Sequence, residues 1–497
     1  MASSPIASSS RTRNTAGILL GALSLCLPAY AFAGADAVGA RLQQILTHLP
    51  QPGVRCSARI VDLDTGRNLC DIDPTTPLLP ASNAKLFVLA TALDRLGPDF
   101  AFRTRLALSG RDLVLIGDGD PSLGDVAMAE ALGVPAGQTF AEWAGALRAR
   151  GVTAIGGDLI IDESIFDNVF THPTWEPGDL KKWYAAPVGA LNYNDNCVDI
   201  TIWPGPGAGA VPGWESVPKT DLIEIVFRNR SSRNGDPVID RPKPELTFVV
   251  TGTPAKRWPF PPIPAPDPGF LTAGALRTAL ADQGISIAGK IVRQRVRLAD
   301  GSLPAGCQLL AEHVTPLPPI LARTGKRSQN LFAECLMKRT GYEWAKRQGA
   351  DPQGTWETGR TAIEAFLAQC GRSANTAAVV DGSGLSRDNR ASAADFVAVL
   401  QHMYRHPYRQ IFAGSLSEAG NDGSLTKRLK DLPGTVYAKT GYLSGVRTLS
   451  GYAVTPSGRW RAFSVLFNGI KGGAAPFNKV HDEICRVLVT DPADAAP

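Results

Sequence analysis

Between Pro80 and Leu96 the chain holds an almost wholly apolar segment with Ser82 and Lys85 at its head. Residues three apart share one helical face, a turn apart, so this hydroxyl and amine can touch. Leu86, Phe87, Val88, Leu89, Leu93 and Leu96 cover most of the circumference before Gly97-Pro98 ends the run. A helix apolar on nearly all sides is buried. An ammonium at its first turn is then costly unless it is paired, or has a lowered pKa and a task. That combination describes a serine activated by a lysine. The plainer alternative is a serine cap beside a solvated lysine, since the four-residue pattern arises about once by chance in a chain of this length.

With 497 residues, 44% of them hydrophobic, and 50 Gly and 38 Pro, the chain has room for two to four loop-rich globular domains. Arg11 and Arg13 precede the apolar run from Ala16 to Leu27, and Ala31-Phe32-Ala33 offers small residues for cleavage, so residues 1–33 read as an export leader. Cys26 follows Leu25 rather than a small residue, which argues against lipidation. No later stretch approaches the length of a membrane span, which leaves a soluble periplasmic or secreted protein with room for peripheral membrane association. Losing Arg11 and Arg13 with the leader lowers the formal charge from +5 to +3, and no basic run remains, so no nucleic-acid partner is expected. Seven cysteines follow the leader, an odd number that leaves at least one thiol free where disulfides would otherwise be favoured. His402 and His406 lie four apart on an expected helix, but no third metal ligand is evident in sequence. The preferred reading is last-turn histidines beside the helix dipole, with no metal and no cofactor.

Val38 to Leu49 has the pattern of an amphipathic helix, and Cys56 to Asp71 that of two strands about Asp64-Thr65-Gly66. From about Phe100 short alternating runs and turns take over, with a helical stretch near Thr139 to Arg150. The run Trp258 to Pro266 reads as a stiff surface connection. Helices return from Ala311, and three strands follow: Thr435 to Thr440, Val446 to Thr455 and Trp460 to Asn468. A last helix runs from Phe477 to Leu488. Short turns between successive strands make an antiparallel meander. The fold class is α/β in the α+β sense, an antiparallel sheet flanked by helices, interrupted by one or two mostly β domains.

Three further clusters bear on Ser82 and Lys85. Ser328-Gln329-Asn330 stands before a helix, with a cap as the plain reading of Ser328. Lys439-Thr440-Gly441 ends a strand, where its glycine permits close approach of another backbone. Asp381 to Arg387 is a glycine-rich loop. In this order, Ser82 to Lys85, Ser328 to Asn330 and Lys439 to Gly441 resemble the three signatures of the serine penicillin-recognising enzymes. The roughly 240 residues between the first two must be inserted domains rather than loop. The chain is thus similar to the C-type low-molecular-mass penicillin-binding proteins, the D-alanyl-D-alanine carboxypeptidase/endopeptidase family. Gly119-Asp120-Pro121, Gly157 to Asp162, Tyr184 to Pro187 and Asn192 to Asn196 agree with that family.

The resemblance implies a penicillin-binding, transpeptidase-like domain over 34–98 and 303–497. An inserted domain would occupy 99–180 and 245–302, and a second one, nested in it, 181–244. It implies that Ser82 is the nucleophile toward D-Ala-D-Ala ends of peptidoglycan stem peptides, and that β-lactams acylate it. Lys85 would be the base, kept neutral by burial and nearby positive charge. Ser328 would relay a proton to the leaving amine, Lys439 would polarise that relay, and Asn330 would orient substrate and Lys85. Thr440 would bind the terminal carboxylate, and Gly441 would permit an added substrate strand. The backbone N–H groups of Ser82 and Tyr442 would form the oxyanion hole. Arg387 and Asp162 would read a diamino-acid side chain at the pocket entrance, with a loop salt bridge and a turn cap as their plain alternatives. Tyr442, where many relatives carry a small residue, leaves the pocket's width open. A serine β-lactamase is the second reading, weakened by the lack of a Glu-x-x-x-Asn segment at a suitable position. A non-enzymatic penicillin-binding scaffold is the third.

Overall fold

The computed structural model describes residues 29–207, 210–228, 236–242, 245–349, 352–373, 376–473 and 475–490, with side chains from residue 37 onward. Most of the expected leader, residues 1–28, lies outside the described residues.

A six-stranded antiparallel sheet organises the half of the chain that carries Ser82. Its order is Ser417–Glu418, Val436–Leu443, Val446–Val454, Trp460–Asn468, Arg55–Asp62 and Asn68–Ile72. The N-terminal hairpin thus completes a sheet begun by the C-terminal meander, pairing Arg55–Asp62 along the whole of Trp460–Asn468. Both faces are covered, so these strands are apolar on both sides. Along the last long strand Phe463, Val465 and Phe467 join one core and Ala462 and Leu466 the other, the two-residue alternation of a pleated strand. The terminal helices Ala29–Thr47 and Ala475–Val489 cover the first face. On the second lie Lys85–Leu96, Leu317–Lys326, Asn330–Arg347, Trp356–Gln369 and Ala393–Arg405. Lys85–Leu96 is the innermost, with every residue from Lys85 to Leu93 buried and Phe87 stacked on Phe396 at 4.5 Å. Each fully buried Leu or Phe there contributes roughly 1.5–3 kcal/mol.

The insertion is more helical than the sequence pattern suggests. Its five-stranded sheet runs Ile291–Arg293, Leu159–Asp162, Asp112–Ile116, Ala101–Ser109, Cys307–Pro316. Helices Gln138–Ala149 and Pro268–Asp282 pack on it through Phe140, Trp143, Leu276 and Leu280. Pro268–Asp282 escapes a periodicity search because it is buried on nearly all sides. Its sequence signal is local: Asp267 accepts the Phe270 N–H at 3.1 Å as the cap, and Pro268 takes the first turn. Two expected boundaries move. Helix does not return at Ala311, because Cys307–Pro316 is a strand paired with Ala101–Ser109 through a bulge near Leu309, so the inserted sheet extends past residue 302. The nested unit also extends past residue 244, since Cys197–Trp203 pairs with Gly213–Val217 on one side and with Trp258–Pro259 and Ile263–Pro264 on the other. The proline-rich run therefore serves as a broken edge strand, the place a sheet tolerates proline.

The seven described cysteines are all unpaired, and five of them are buried. Among the described residues no helix is long and apolar enough to cross a membrane.

Candidate active site

Ser82 sits in a single 3-10 turn, Ala81–Ala84, that leads directly into Lys85–Leu96. Two anchors hold this turn to the sheet: Thr448 Oγ1 donates to the Pro80 carbonyl at 2.9 Å, and Asn83 Nδ2 to Ser450 Oγ at 2.6 Å. Gly441 makes the approach feasible, because a Cβ there would lie 2.0 Å from Thr448 Oγ1 and 2.9 Å from the Pro80 oxygen. On the opposite side Gly384, at φ +81°, lets its loop close to the point where a Cβ would meet the Ala81 oxygen at 1.9 Å. Ala81 at φ +47° and Ser328 at φ +58° both occupy the left-handed region, a strain of about 1–3 kcal/mol each that the surrounding packing must hold.

The three sequence clusters meet here. Lys85 Nζ is 3.2 Å from Ser82 Oγ and donates to Asn330 Oδ1 and to the Ser383 carbonyl, both at 2.7 Å. Lys439 Nζ donates to Ser328 Oγ and to the Thr440 carbonyl, both at 2.8 Å, while Thr440 Oγ1 donates to Ser424 Oγ at 2.8 Å. Beyond Ala438 the outer edge of Val436–Leu443 has no paired strand among the described residues. Tyr442 projects from that edge, 67% exposed, with the Arg447 guanidinium 3.7 Å from its ring centre. The tyrosine therefore stands at the rim of the cleft and does not narrow its floor.

The insertion supports the second cluster. The Tyr184 carbonyl accepts from Asn330 Nδ2 at 2.7 Å, and Gln329 Nε2 reaches Asp195 at 2.8 Å. Arg323, on the preceding helix, donates from Nε and Nη2 to Asp125 at 2.9 and 2.8 Å. A cavity of about 930 Å³ between this helix and Ser122–Glu142 touches the site only through Lys326–Arg327 and Asp422–Gly423, the neighbours of Ser328 and Ser424.

Sequence reasoning did not single out Glu334 or Asp381 as charges of the site. Glu334 lies one turn beyond Asn330 and is wholly buried. Its carboxylate accepts the Ser383 N–H at 2.7 Å, the Gly382 N–H at 2.8 Å and Trp356 Nε1 at 2.7 Å, fixing the two peptides that precede the Ser383 carbonyl facing Lys85. The available signal is an acid four residues after Asn330 in the run Leu331-Phe332-Ala333-Glu334-Cys335-Leu336, where an unpaired charge would be prohibitive. Asp381 ties the same loop together, accepting from Gly384 N–H, Ser386 N–H, Asn389 Nδ2 and Trp175 Nε1.

These charges alter the expected electrostatics of Lys85. Burial lowers its pKa to about 7, and the carboxylates of Glu334 and Asp381 oppose that fall. The principal charged neighbours are thus anions, and burial supplies the shift. Glu334 is itself raised to about 7 by burial and then by Asp381, against its three N–H donors. Burial, with Lys85 beside it, holds Lys439 well below the usual lysine range.

The two proposed specificity residues part company. Arg387 is half-buried on the glycine-rich loop, and its guanidinium has no ion-pair partner among the described residues. Asp162 is not at a pocket entrance: its carboxylate is wholly buried, accepting from Ser164 N–H and Oγ and from the Val296 and Arg297 N–H groups. With its lone pairs spent on joining two segments of the inserted domain, it has no free edge for a ligand ammonium.

The sequence profile of the D-Ala-D-Ala carboxypeptidase 3 (S13) family matches residues 38–488. A D-alanyl-D-alanine carboxypeptidase of Actinomadura sp. (strain R39) is 33% identical over 483 residues, covering 88% of this chain and 84% of that one. D-alanyl-D-alanine carboxypeptidase DacB of Haemophilus influenzae is 26% identical over 445 residues, covering 83% and 85%. In structure, penicillin binding protein 4 (dacB) from Haemophilus influenzae superposes with a TM-score of 0.72 at 23% identity, covering 90% of this chain and 99% of that one.

Proposed function

The chain belongs to the D-Ala-D-Ala carboxypeptidase 3 (S13) family, and from that premise we propose how its residues perform the reaction. The protein is a serine-type D-Ala-D-Ala carboxypeptidase acting on peptidoglycan stem peptides and acylated by β-lactams. The observation that carries the assignment of residues is the joined hydrogen bonding of Ser82, Lys85 and Asn330 beside the Lys439–Ser328 pair.

Neutral Lys85 takes the proton of Ser82 Oγ as that oxygen adds to the carbonyl between the two D-alanines. The N–H groups of Ser82 and Tyr442 receive the oxyanion. The proton now on Lys85 is relayed through Ser328, beside Lys439, to the leaving amine as the C–N bond breaks, so that D-alanine departs and an ester remains on Ser82 with Lys85 neutral again. Water then hydrolyses that ester and restores the Ser82 hydroxyl. Thr440 and Ser424 form a hydroxyl pair suited to the terminal carboxylate, whose negative charge would favour the protonated form of Lys439 beside it. The unpaired edge beyond Ala438 supports binding of the peptide as an added strand, beside the Ser82 turn that Gly441 lets approach. Glu334 acts as a positioning residue, holding the Gly382 and Ser383 N–H groups in the backbone that leads to the carbonyl facing Lys85. The basic and apolar leader over residues 1–33 supports export to the periplasm, where such peptides lie.

Incubation with a fluorescent penicillin and, separately, with a bis-D-alanine peptide tests this reading. A stable label together with released D-alanine is expected. Rapid turnover of the label would make the protein a β-lactamase, and a label with no peptide cleavage would make it a scaffold. Arg387→Ala is expected to weaken cleavage of peptides with a free diamino-acid end more than of simple bis-D-alanine peptides. Equal loss in kcat/KM on both would remove the role of Arg387 in side-chain recognition.

A further inference from the structure

The histidine pair that lacks a third partner in the sequence acquires one in the fold. Asp94, in the last turn of Lys85–Leu96, stands beside His402 and His406 at the end of Ala393–Arg405. One ligand atom from each of the three lies within 4.8 Å of the others. His406 Nε2 is 3.4 Å from Asp94 Oδ1, and two ligands of a tetrahedral zinc, each about 2.0–2.1 Å from the ion, stand about 3.4 Å apart. From these residues we propose that Asp94, His402 and His406 form a binding site for a divalent transition metal of the zinc type.

Charges of both signs surround the cluster, with Arg95 and Arg405 near the histidines and helix ends opposing them. Three helices end here: Lys85–Leu96, Ala393–Arg405 and Trp356–Gln369, the last capped by Cys370. Their C-terminal carbonyls direct partial negative charge toward the cluster. Arg95 Nη1 holds the other carboxylate oxygen of Asp94 at 3.2 Å, leaving Oδ1 to face the histidines, an arrangement typical of outer-sphere support for a ligand. Among the described residues the ring nitrogens of His402 have no hydrogen-bond partner. The ring packs edge-on against Phe366 at 5.3 Å, which fixes its plane. A cavity of about 300 Å³ lined by Cys370, His402 and His406 leaves access and room for water at the remaining coordination position. One rearrangement is required. His406 Nδ1 accepts the Tyr408 N–H at 3.2 Å, and ligation through Nε2 needs the proton on Nδ1, so that bond is given up at a cost of about 1 kcal/mol.

Asp94 lies about three turns along the helix that the Ser82 turn leads into, so an ion here would clamp the far end of that helix. Titration of the metal-free protein with zinc chloride alone, followed by calorimetry and by thermal melting, is expected to give one ion per chain and a rise in Tm of a few degrees. Cobalt(II) alone is expected to give the visible absorption of a four-coordinate ion. His402→Ala and, as a milder variant, His402→Gln should each weaken zinc binding by about tenfold or more while leaving D-alanine release unchanged. Absence of saturable zinc binding, or binding undiminished in either folded variant, would overturn the site.

Discussion

Lys85→Ala is expected to slow acylation by penicillin by about 10³-fold, within the 10²–10⁴ that a positioned general base contributes. The amine 3.2 Å from Ser82 Oγ is the base in this account, and its removal also deprives Asn330 Oδ1 of its donor. Stability should fall as well. The substitution leaves Asn330 Oδ1 and the Ser383 carbonyl without their donor and takes a cationic partner from Glu334 and Asp381, so the alanine variant should melt below the wild-type temperature. The same amine sets the pH dependence. With its pKa lowered to about 7 by burial, Lys85 is protonated and unable to act as base below that value, so the acylation rate constant of the wild type should climb as pH rises through about 7. Stopped-flow acylation across pH, with thermal melts of both proteins, checks this. A Lys85→Ala rate within tenfold of wild type would remove the base assignment.

Glu334→Gln is expected to reduce acylation by roughly 5- to 150-fold, the consequence of about 1–3 kcal/mol from leaving a buried donor unsatisfied. A carboxylate accepts from Ser383, Gly382 and Trp356 together, whereas an amide must turn its NH2 toward one of them. Charge gives a second signature. Because the Glu334 carboxylate raises the pKa of Lys85, the amide should move the acid limb of the profile to lower pH, as the neutral amine becomes easier to reach. Lys85 and Glu334 are close enough to titrate together, so the limb reports the pair. A purely architectural role would lower the rate without moving the limb, and that outcome would demote Glu334 to a packing residue.

How far the sequence carries the argument depends on whether a feature is periodic or local. The Lys85–Leu96 helix is legible because Leu86 to Leu93 are almost wholly apolar, and the meander because its strands are separated by short turns. Pro268–Asp282 has small and apolar residues on every side, so only its Asp267 cap betrays it. Cys307–Pro316 is an edge strand with four exposed positions and a bulge, which erases the two-residue alternation. In the site, Ser82, Lys85, Ser328, Asn330 and Lys439 stand in three recognisable clusters that the fold brings together. Glu334 belongs to no motif and gains its place through backbone N–H groups that sequence spacing does not reveal. Asp162 marks the opposite limit, since a carboxylate at a strand end looks the same in sequence whether it faces a ligand or, as here, the chain's own backbone.

The central claim is that Ser82 carries the acyl group. Mass spectrometry of the protein after reaction with penicillin, followed by proteolysis, tests it most directly. One adduct per chain, on the peptide containing Ser82 and absent in Ser82→Ala protein that melts like the wild type, is the predicted result. An adduct on another residue, or D-alanine release that survives in Ser82→Ala, would contradict it.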